Sequence, residues 1–361
     1  MSHPSESHVG PAFVKVFGEC LEMLRQVFQT SDKGSQPFIL NGSGTLGWDF
    51  VAANLVEPGD DVLVLHTGYF SNSFAECFET YGMKALQVKA PVGQRPSLEE
   101  VEDMLKQKAY KMITITHCDT STGVLSDIKA IAELVRRISP NTLIVVDGVC
   151  SVGCEDIQFD SWALDLVLTG SQKALGAPAG LSIIMASKRA ISVYENRKSP
   201  PASYYASMKK WLPIMQNYEA RRPSYFATPA VQIIHALNQA LKEILKIGMQ
   251  SQIAQHKETS TKVKSKIAAM GLKTVCIDQS EGSNGMTAVY LPPGVQNTDL
   301  LPKVAAKGVI FAAGLHKEIA TKYFRIGHMG VSVTRKERGD IDQALKALQE
   351  SLNECGYVCT A

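Results

Sequence analysis

One lysine, Lys173, stands among small residues in GSQKALGAPAG (170–180), where glycine and proline bend the chain sharply. A primary amine on such a bend can meet a carbonyl compound closely and swing away again, as amine nucleophiles must. A lone lysine is more often a solvated surface charge, so its meaning depends on its neighbours. Asp147 follows the apolar run TLIVV and offers a carboxylate, although an aspartate there is commonly a turn former or helix cap. Gly42-Ser43-Gly44-Thr45-Leu46-Gly47 opens onto the helical pattern LGWDFVAANLV. Free amides and a helix dipole at such a turn favour an anion, phosphate above all. The same six residues fit a G-x-G-x-x-G dinucleotide fingerprint, which needs an acidic residue at the end of the next strand. There DVLVLHTGYF places His66 and Thr67 instead. HCDTSTG, His117 to Gly123, adds a group of hydroxyls; His117 itself, like His328, reads as structural.

Each of these groups follows a short apolar run. PFIL, DVLVL, KMITIT, TLIVVD, DLVLTG and LSIIMA recur up to about residue 195, mostly separated by stretches of helical spacing. Such alternation predicts an α/β fold with a largely parallel sheet. Ligands of these folds bind outside the carboxyl ends of the strands, which is where the candidate residues stand. An amphipathic helix is expected in PAFVKVFGECLEMLRQVFQT. Residues 196–229, rich in Pro, Tyr and Trp, read as an irregular surface connection. Two helical stretches from Val231 to about Met270 break near Gly248. Strands in MTAVYL, VIFAAG and YFRIG and a last helix in DIDQALKALQESL follow. The expected division is a large domain, 1–247, and a small C-terminal α/β domain, 248–361.

The 37 basic and 35 acidic residues nearly cancel and form no long run of one sign, which speaks against nucleic-acid or membrane-surface partners. The eight cysteines include no CxxC pair, and the closest, Cys150 with Cys154 and Cys355 with Cys359, lack histidines at metal-ligand spacing. Reduced thiols and no metal are expected. No apolar run approaches the roughly 18 residues of a membrane helix. MSHPSESHVG has no hydrophobic signal core, and Cys359-Thr360-Ala361 is not a Ser-Lys-Leu address. The cytoplasm is the default expectation.

A phosphate cradle, a hydroxyl group, a carboxylate and a lysine at successive strand ends make up the parts list for pyridoxal 5′-phosphate. The lysine supplies the Schiff-base amine and the carboxylate pairs with the pyridinium nitrogen.

At these residues the chain resembles the fold-type I pyridoxal-phosphate enzymes of the class V aminotransferase family, most of all the eukaryotic alanine–glyoxylate aminotransferases. QPFILNGSGTLGWD, THCDTSTGVLSD, VVDGVCSVG, GSQKALGAPAG, SYFATPAVQ and YFRIGHMG carry the likeness, from about residue 11 to 350. The resemblance implies a large domain with a mostly parallel seven-stranded sheet and a smaller C-terminal domain. It implies that Lys173 and Asp147 are catalytic, and that Ser43, Gly44, Thr45 and Gln172 hold the phosphate. Thr120 would contact the ring oxygen, and Arg325 the substrate carboxylate, for which a planar fork suits better than a lysine. Tyr225 and Thr228 would reach the phosphate of a neighbouring subunit, implying a homodimer with shared sites. The implied substrates are a small amino acid and a 2-oxo acid: alanine giving its amino group to glyoxylate, with serine as the alternative donor. Two departures stand out. Phe70 occupies the place of a bulky aromatic, often tryptophan, over the cofactor ring. The Gly-Pro-Gly-Pro segment that the family carries ahead of the first helix, lining the pocket and wrapping the second subunit, has no counterpart before Pro11. The family is met in peroxisomes and mitochondria as well as cytosol, so both organelles stay open.

Overall fold

The structure is a computed structural model that describes residues 3–359; Met1, Ser2, Thr360 and Ala361, which belong to the terminal segments read for targeting signals, lie outside it. Twelve strands follow in chain order: β1 (Gln36–Asn41), β2 (Asp61–His66), β3 (Lys84–Lys89), β4 (Met112–Thr116), β5 (Cys118–Asp119), β6 (Val124–Leu125), β7 (Leu143–Asp147), β8 (Leu166–Gly170), β9 (Leu181–Ala186), β10 (Met286–Tyr290), β11 (Ala312–Ala313) and β12 (Tyr323–Gly327).

Seven of them form one sheet in the order β1-β9-β8-β7-β4-β2-β3. From β8 to β3 the neighbours are parallel, while β9 runs antiparallel to both β8 and β1. β4, β7 and β8 are buried at every position, as expected of interior parallel strands covered on both faces. β3, KALQVK, closes one edge with exposed lysines at both ends, which blocks further strand addition. It was not among the expected runs.

Register sets the site. Thr116 lies opposite Asp147, and Asp147 opposite Leu168, so β4 and β7 end level and β8 runs two residues further, to Gly170. Gly170 pairs with Ser182, and Leu181 with Asn41. The antiparallel step through β9 thereby brings the end of β1, and the glycine turn after it, to the same edge of the sheet.

Helices cover both faces. Pro11–Val27 buries Phe13, Phe17, Leu21 and Leu24, with a proline in its first turn where no amide is lost. Leu98–Gln107 starts on a capping box of Ser97 and Glu100, and Ile128–Ile138 on the Asp127 side chain. The connection expected to be irregular contains a helix, Met208–Glu219, with Pro213 inside it. Met208, Trp211, Met215 and Tyr218 recur at helical spacing and are buried, and that burial outweighs the proline.

Gly248, at φ +85°, separates the helices Val231–Ile247 and Met249–Ala269. Beyond it, β10-β12-β11 form an antiparallel sheet around β12, and a second hydrophobic cluster gathers Val263, Ile267, Val289, Phe324 and Leu348. Of VIFAAG only Ala312–Ala313 is strand. All eight cysteines are free thiols, and no helix among the described residues is long and apolar enough to cross a membrane.

Candidate active site

Asp147 is 4% exposed. Its Oδ2 accepts from the Trp48 indole Nε1–H at 2.9 Å and its Oδ1 from the Val149 amide at 3.0 Å. Burial pushes its carboxyl up to about 6; these two donors and the charge of Lys173 pull against that, while Asp119 adds to the rise. Lys173 therefore stands within electrostatic reach of a buried carboxylate on the adjoining strand.

Lys173 is half-buried on a turn that Ser171 holds together. The Ser171 hydroxyl donates to the Pro178 carbonyl at 2.6 Å, its carbonyl accepts from Ala177, and the Leu181 amide donates back to its hydroxyl. Gly176 at φ +72° completes a bend that a side chain would strain. The bend and the lysine thus belong to one device, which fixes the backbone and leaves the amine at the strand end.

After β1, the amides of Leu46, Gly47 and Trp48 fold back onto the carbonyls of Ser43, Gly44 and Thr45. Among the described residues no acceptor meets the amides of Ser43, Gly44 or Thr45, which stand at the start of the helix Leu46–Leu55. A Cβ on Gly44 would lie 2.6 Å from Val149 Cγ2, so only glycine lets the turn sit beside the Asp147 loop. Ser43, Thr45 and Gln172 are exposed, as an anion site requires.

Thr120 follows β5, in the turn of the short β5–β6 hairpin. Its carbonyl accepts from Arg325 Nη1 at 3.4 Å, and Arg325 Nε donates to the Ala313 carbonyl at 2.8 Å. Burial lowers the guanidinium's affinity for its proton, and no carboxylate pairs with it among the described residues. A partly buried arginine without an acid is a site for an external carboxylate. Across the cluster, the pKa of the buried Cys150 thiol is pulled down by its neighbour Cys118, against its burial, and by the charge of Lys173.

The family model of the class-V aminotransferases matches residues 2–335. The chain belongs to that family. It is 43% identical over 345 residues to an alanine–glyoxylate aminotransferase of Saccharomyces cerevisiae, covering 92% of this chain and 88% of that one. With a serine–glyoxylate aminotransferase of Arabidopsis thaliana it shares 30% over 335 residues, 91% and 81% of the two chains. The crystal structure of ureidoglycine–glyoxylate aminotransferase from Bacillus subtilis superposes with a TM-score of 0.90 at 28% identity, covering 100% of this chain and 90% of that one. The fold is accordingly the type I arrangement of pyridoxal-phosphate transferases.

In this class-V aminotransferase, Phe70 lies in the first turn of the helix Tyr69–Thr80, half-buried, with its ring edge-on to Tyr69. That helix is tied to the β5–β6 hairpin. Asp119, fully buried, accepts from the Ser71 amide and hydroxyl and from the Ser121 amide and hydroxyl, and the Tyr69 amide donates to Ser121 Oγ. A Cβ on Gly68 would lie 2.3 Å from Ser121 Oγ, so the approach requires glycine. The Tyr225 and Thr228 side chains are both exposed, and the Thr228 carbonyl accepts from Nδ2 of Asn41, the residue before the glycine turn. His117 and His328 are buried, and burial holds both rings neutral down to about 3. Sequence reading missed Trp48 and gave Asp119 no distinct role. The signal for Trp48 was an indole in the first turn of the helix after the glycine loop, but its target, Asp147, is 99 residues away.

Proposed function

We propose that the protein moves the amino group of alanine to glyoxylate, giving pyruvate and glycine, with pyridoxal 5′-phosphate as cofactor. The observation that carries this reading is the buried Asp147 carboxylate within electrostatic reach of Lys173, on adjoining strand ends. The residues present fit the cofactor. Three amides that meet no acceptor among the described residues, at a helix start and one of them on a glycine that admits no side chain, suit a phosphate; Ser43, Gly44, Thr45 and Gln172 would hold it. Asp147 would pair with the ring nitrogen, the Thr120 hydroxyl with the ring oxygen, and Phe70 would give apolar cover.

Bound there, the cofactor supplies an electron sink for charge developing at the substrate's Cα. Asp147, buried and gripped by two donors, would hold a proton on the ring nitrogen. Arg325, which makes no ion pair among the described residues, would orient the amino acid by its carboxylate. Lys173 then takes the proton from Cα as a general base. Phe70 and the buried hairpin behind it limit water at that carbon.

The likeness to the yeast alanine–glyoxylate enzyme supports alanine as donor, and the likeness to the Arabidopsis serine–glyoxylate enzyme supports serine as the second reading. We further propose a homodimer in which Tyr225 and Thr228 complete a neighbouring phosphate site, and a domain boundary at Gly248. The exposure of Tyr204 at 75% and Tyr225 at 62% supports the dimer.

The experiment is a comparison of amino donors with glyoxylate as acceptor, using protein loaded with pyridoxal phosphate. Pyruvate formed from alanine faster than hydroxypyruvate from serine is expected. Serine outpacing alanine would replace the first reading by the second, and no glycine from either donor would overturn both.

A further inference from the structure

A buried indole N–H needs an acceptor. Trp48, 6% exposed, does not find one on a nearby carbonyl but spends its hydrogen bond on Asp147 Oδ2, at 2.9 Å. The Val149 amide holds the other oxygen. A carboxylate gripped at both oxygens from two different elements cannot rotate about its Cβ–Cγ bond without breaking one of the two contacts. The face of the indole matters as well. Trp48 stacks on Phe74, with centroids 5.3 Å apart and planes 15° from parallel, and Phe74 stacks in turn on Phe78 at 4.8 Å and 14°. Phe74 and Phe78 lie on the helix Tyr69–Thr80, whose first turn carries Phe70. One side chain therefore touches both the carboxylate and the helix that presents Phe70.

We propose that Trp48 is a positioning residue: its indole N–H fixes the Asp147 carboxylate, and its stack on Phe74 sets the helix of Phe70 against that carboxylate. Its bearing on catalysis rests on the pyridoxal-phosphate reading given above; the hydrogen bond itself does not.

The groups facing Asp147 are few. Asp119, from the β5–β6 hairpin, raises its pKa, and Lys173, after β8, lowers it. His117, whose amide donates to the Asp147 carbonyl, is neutral through the working range because burial holds its ring proton off. The helix Leu46–Leu55 brings only the Trp48 donor to the carboxylate. Removing that donor makes the carboxylate easier to protonate. The ionised form is then lost at a higher pH than in the parent protein.

The test has two arms. The chain holds three tryptophans, so protein freed of cofactor gives three indole N–H signals by nitrogen-15 NMR, and Trp48→Phe identifies the one in question. That signal is expected to shift with pH about a midpoint near 6 in the cofactor-free protein, and to lose the shift in Asp147→Asn. A Trp48 signal at the same position in the parent protein and in Asp147→Asn overturns the hydrogen bond, whatever the cofactor. In the second arm, Trp48→Phe is loaded with pyridoxal phosphate and mixed with alanine alone. The acid limb of the half-reaction is expected to move to higher pH, and the pyridoxal phosphate dissociation constant to rise several-fold, with KM for alanine unchanged. A lowered melting temperature with an unmoved acid limb and unchanged cofactor affinity would reduce Trp48 to packing.

Discussion

Asp147 and Tyr225 stand at the two extremes of the candidate site. Asp147 is 4% exposed, both its oxygens accept hydrogen bonds, and its position is dictated by register with β4 and β8. Tyr225 is 62% exposed, and its ring meets the imidazole of His8, 5.2 Å away and tilted. The first residue is fully specified by its own chain. The second is held in place by backbone, through the Asn41 side chain to the Thr228 carbonyl and the Ala230 amide, while its side chain is left to solvent. Strand-end chemistry is built into the monomer, and the proposed dimer would add a finishing contact. Substitutions in the two regions should therefore differ in size and in what they disturb.

Lys173→Ala should have the largest effect, lowering turnover with alanine and glyoxylate by about 10²–10⁴-fold, the usual worth of a positioned acid–base group. Its melting temperature should hold, because a half-buried amine that makes no ion pair is not structural among the described residues. Arg325→Lys comes next. It keeps the charge but loses the fork, and KM for alanine should rise about tenfold or more, in keeping with ~1.5–3 kcal/mol for a charged hydrogen bond. If kcat fell instead while KM stayed, Arg325 would not be binding the substrate carboxylate. Thr228→Ala and Tyr225→Phe should each cost about 0.5–1.5 kcal/mol of cofactor affinity, with catalysis of the loaded enzyme little changed. Light scattering showing a dimer, combined with unchanged affinity in both variants, would separate these residues from the phosphate site.

Glu155 offers a smaller test, at the contact between the strand-end region and the residues before β10. It is 4% exposed and accepts from Ser283 Oγ and from the amide and side chain of Asn284. Burial raises its carboxyl from 4.5 to about 7. A folded-state value above the unfolded one means that the folded protein keeps a proton the unfolded chain releases. The associated stability is complete below about pH 4.5 and is lost as pH rises through 7. Between pH 5 and 7 the stability of the parent protein should fall against that of Glu155→Gln by up to ~1.4 kcal/mol per unit, measurable by urea unfolding at each pH.

The legible parts of the molecule were those where one local rule decides. MITIT, LIVVD and LVLTG read as strands because interior parallel strands are continuously apolar. Lys173 and Asp147 were legible because each follows such a run. KALQVK was not, since an edge strand mixes lysine with apolar residues and shows no clean period. The helix Met208–Glu219 was hidden by Pro213 and its aromatic neighbours, although its buried residues keep helical spacing. The reversed direction of β9 leaves no mark on LSIIMA, because burial on both faces looks the same either way. Trp48 and Asp119 act only through register and packing between distant segments, so nothing local announces them. No indole stands at Phe70 itself; the indole of Trp48 stacks on Phe74 of the same helix and is directed at the Asp147 carboxylate.

The most direct test is to saturate the protein with pyridoxal phosphate, reduce it with borohydride, digest it and locate the added mass. The expected result is a single pyridoxyl-phosphate group on the peptide holding Lys173, absent when Lys173→Ala is treated the same way. Label on a different lysine, or none at saturating cofactor, would contradict the assignment of that amine and the function built on it.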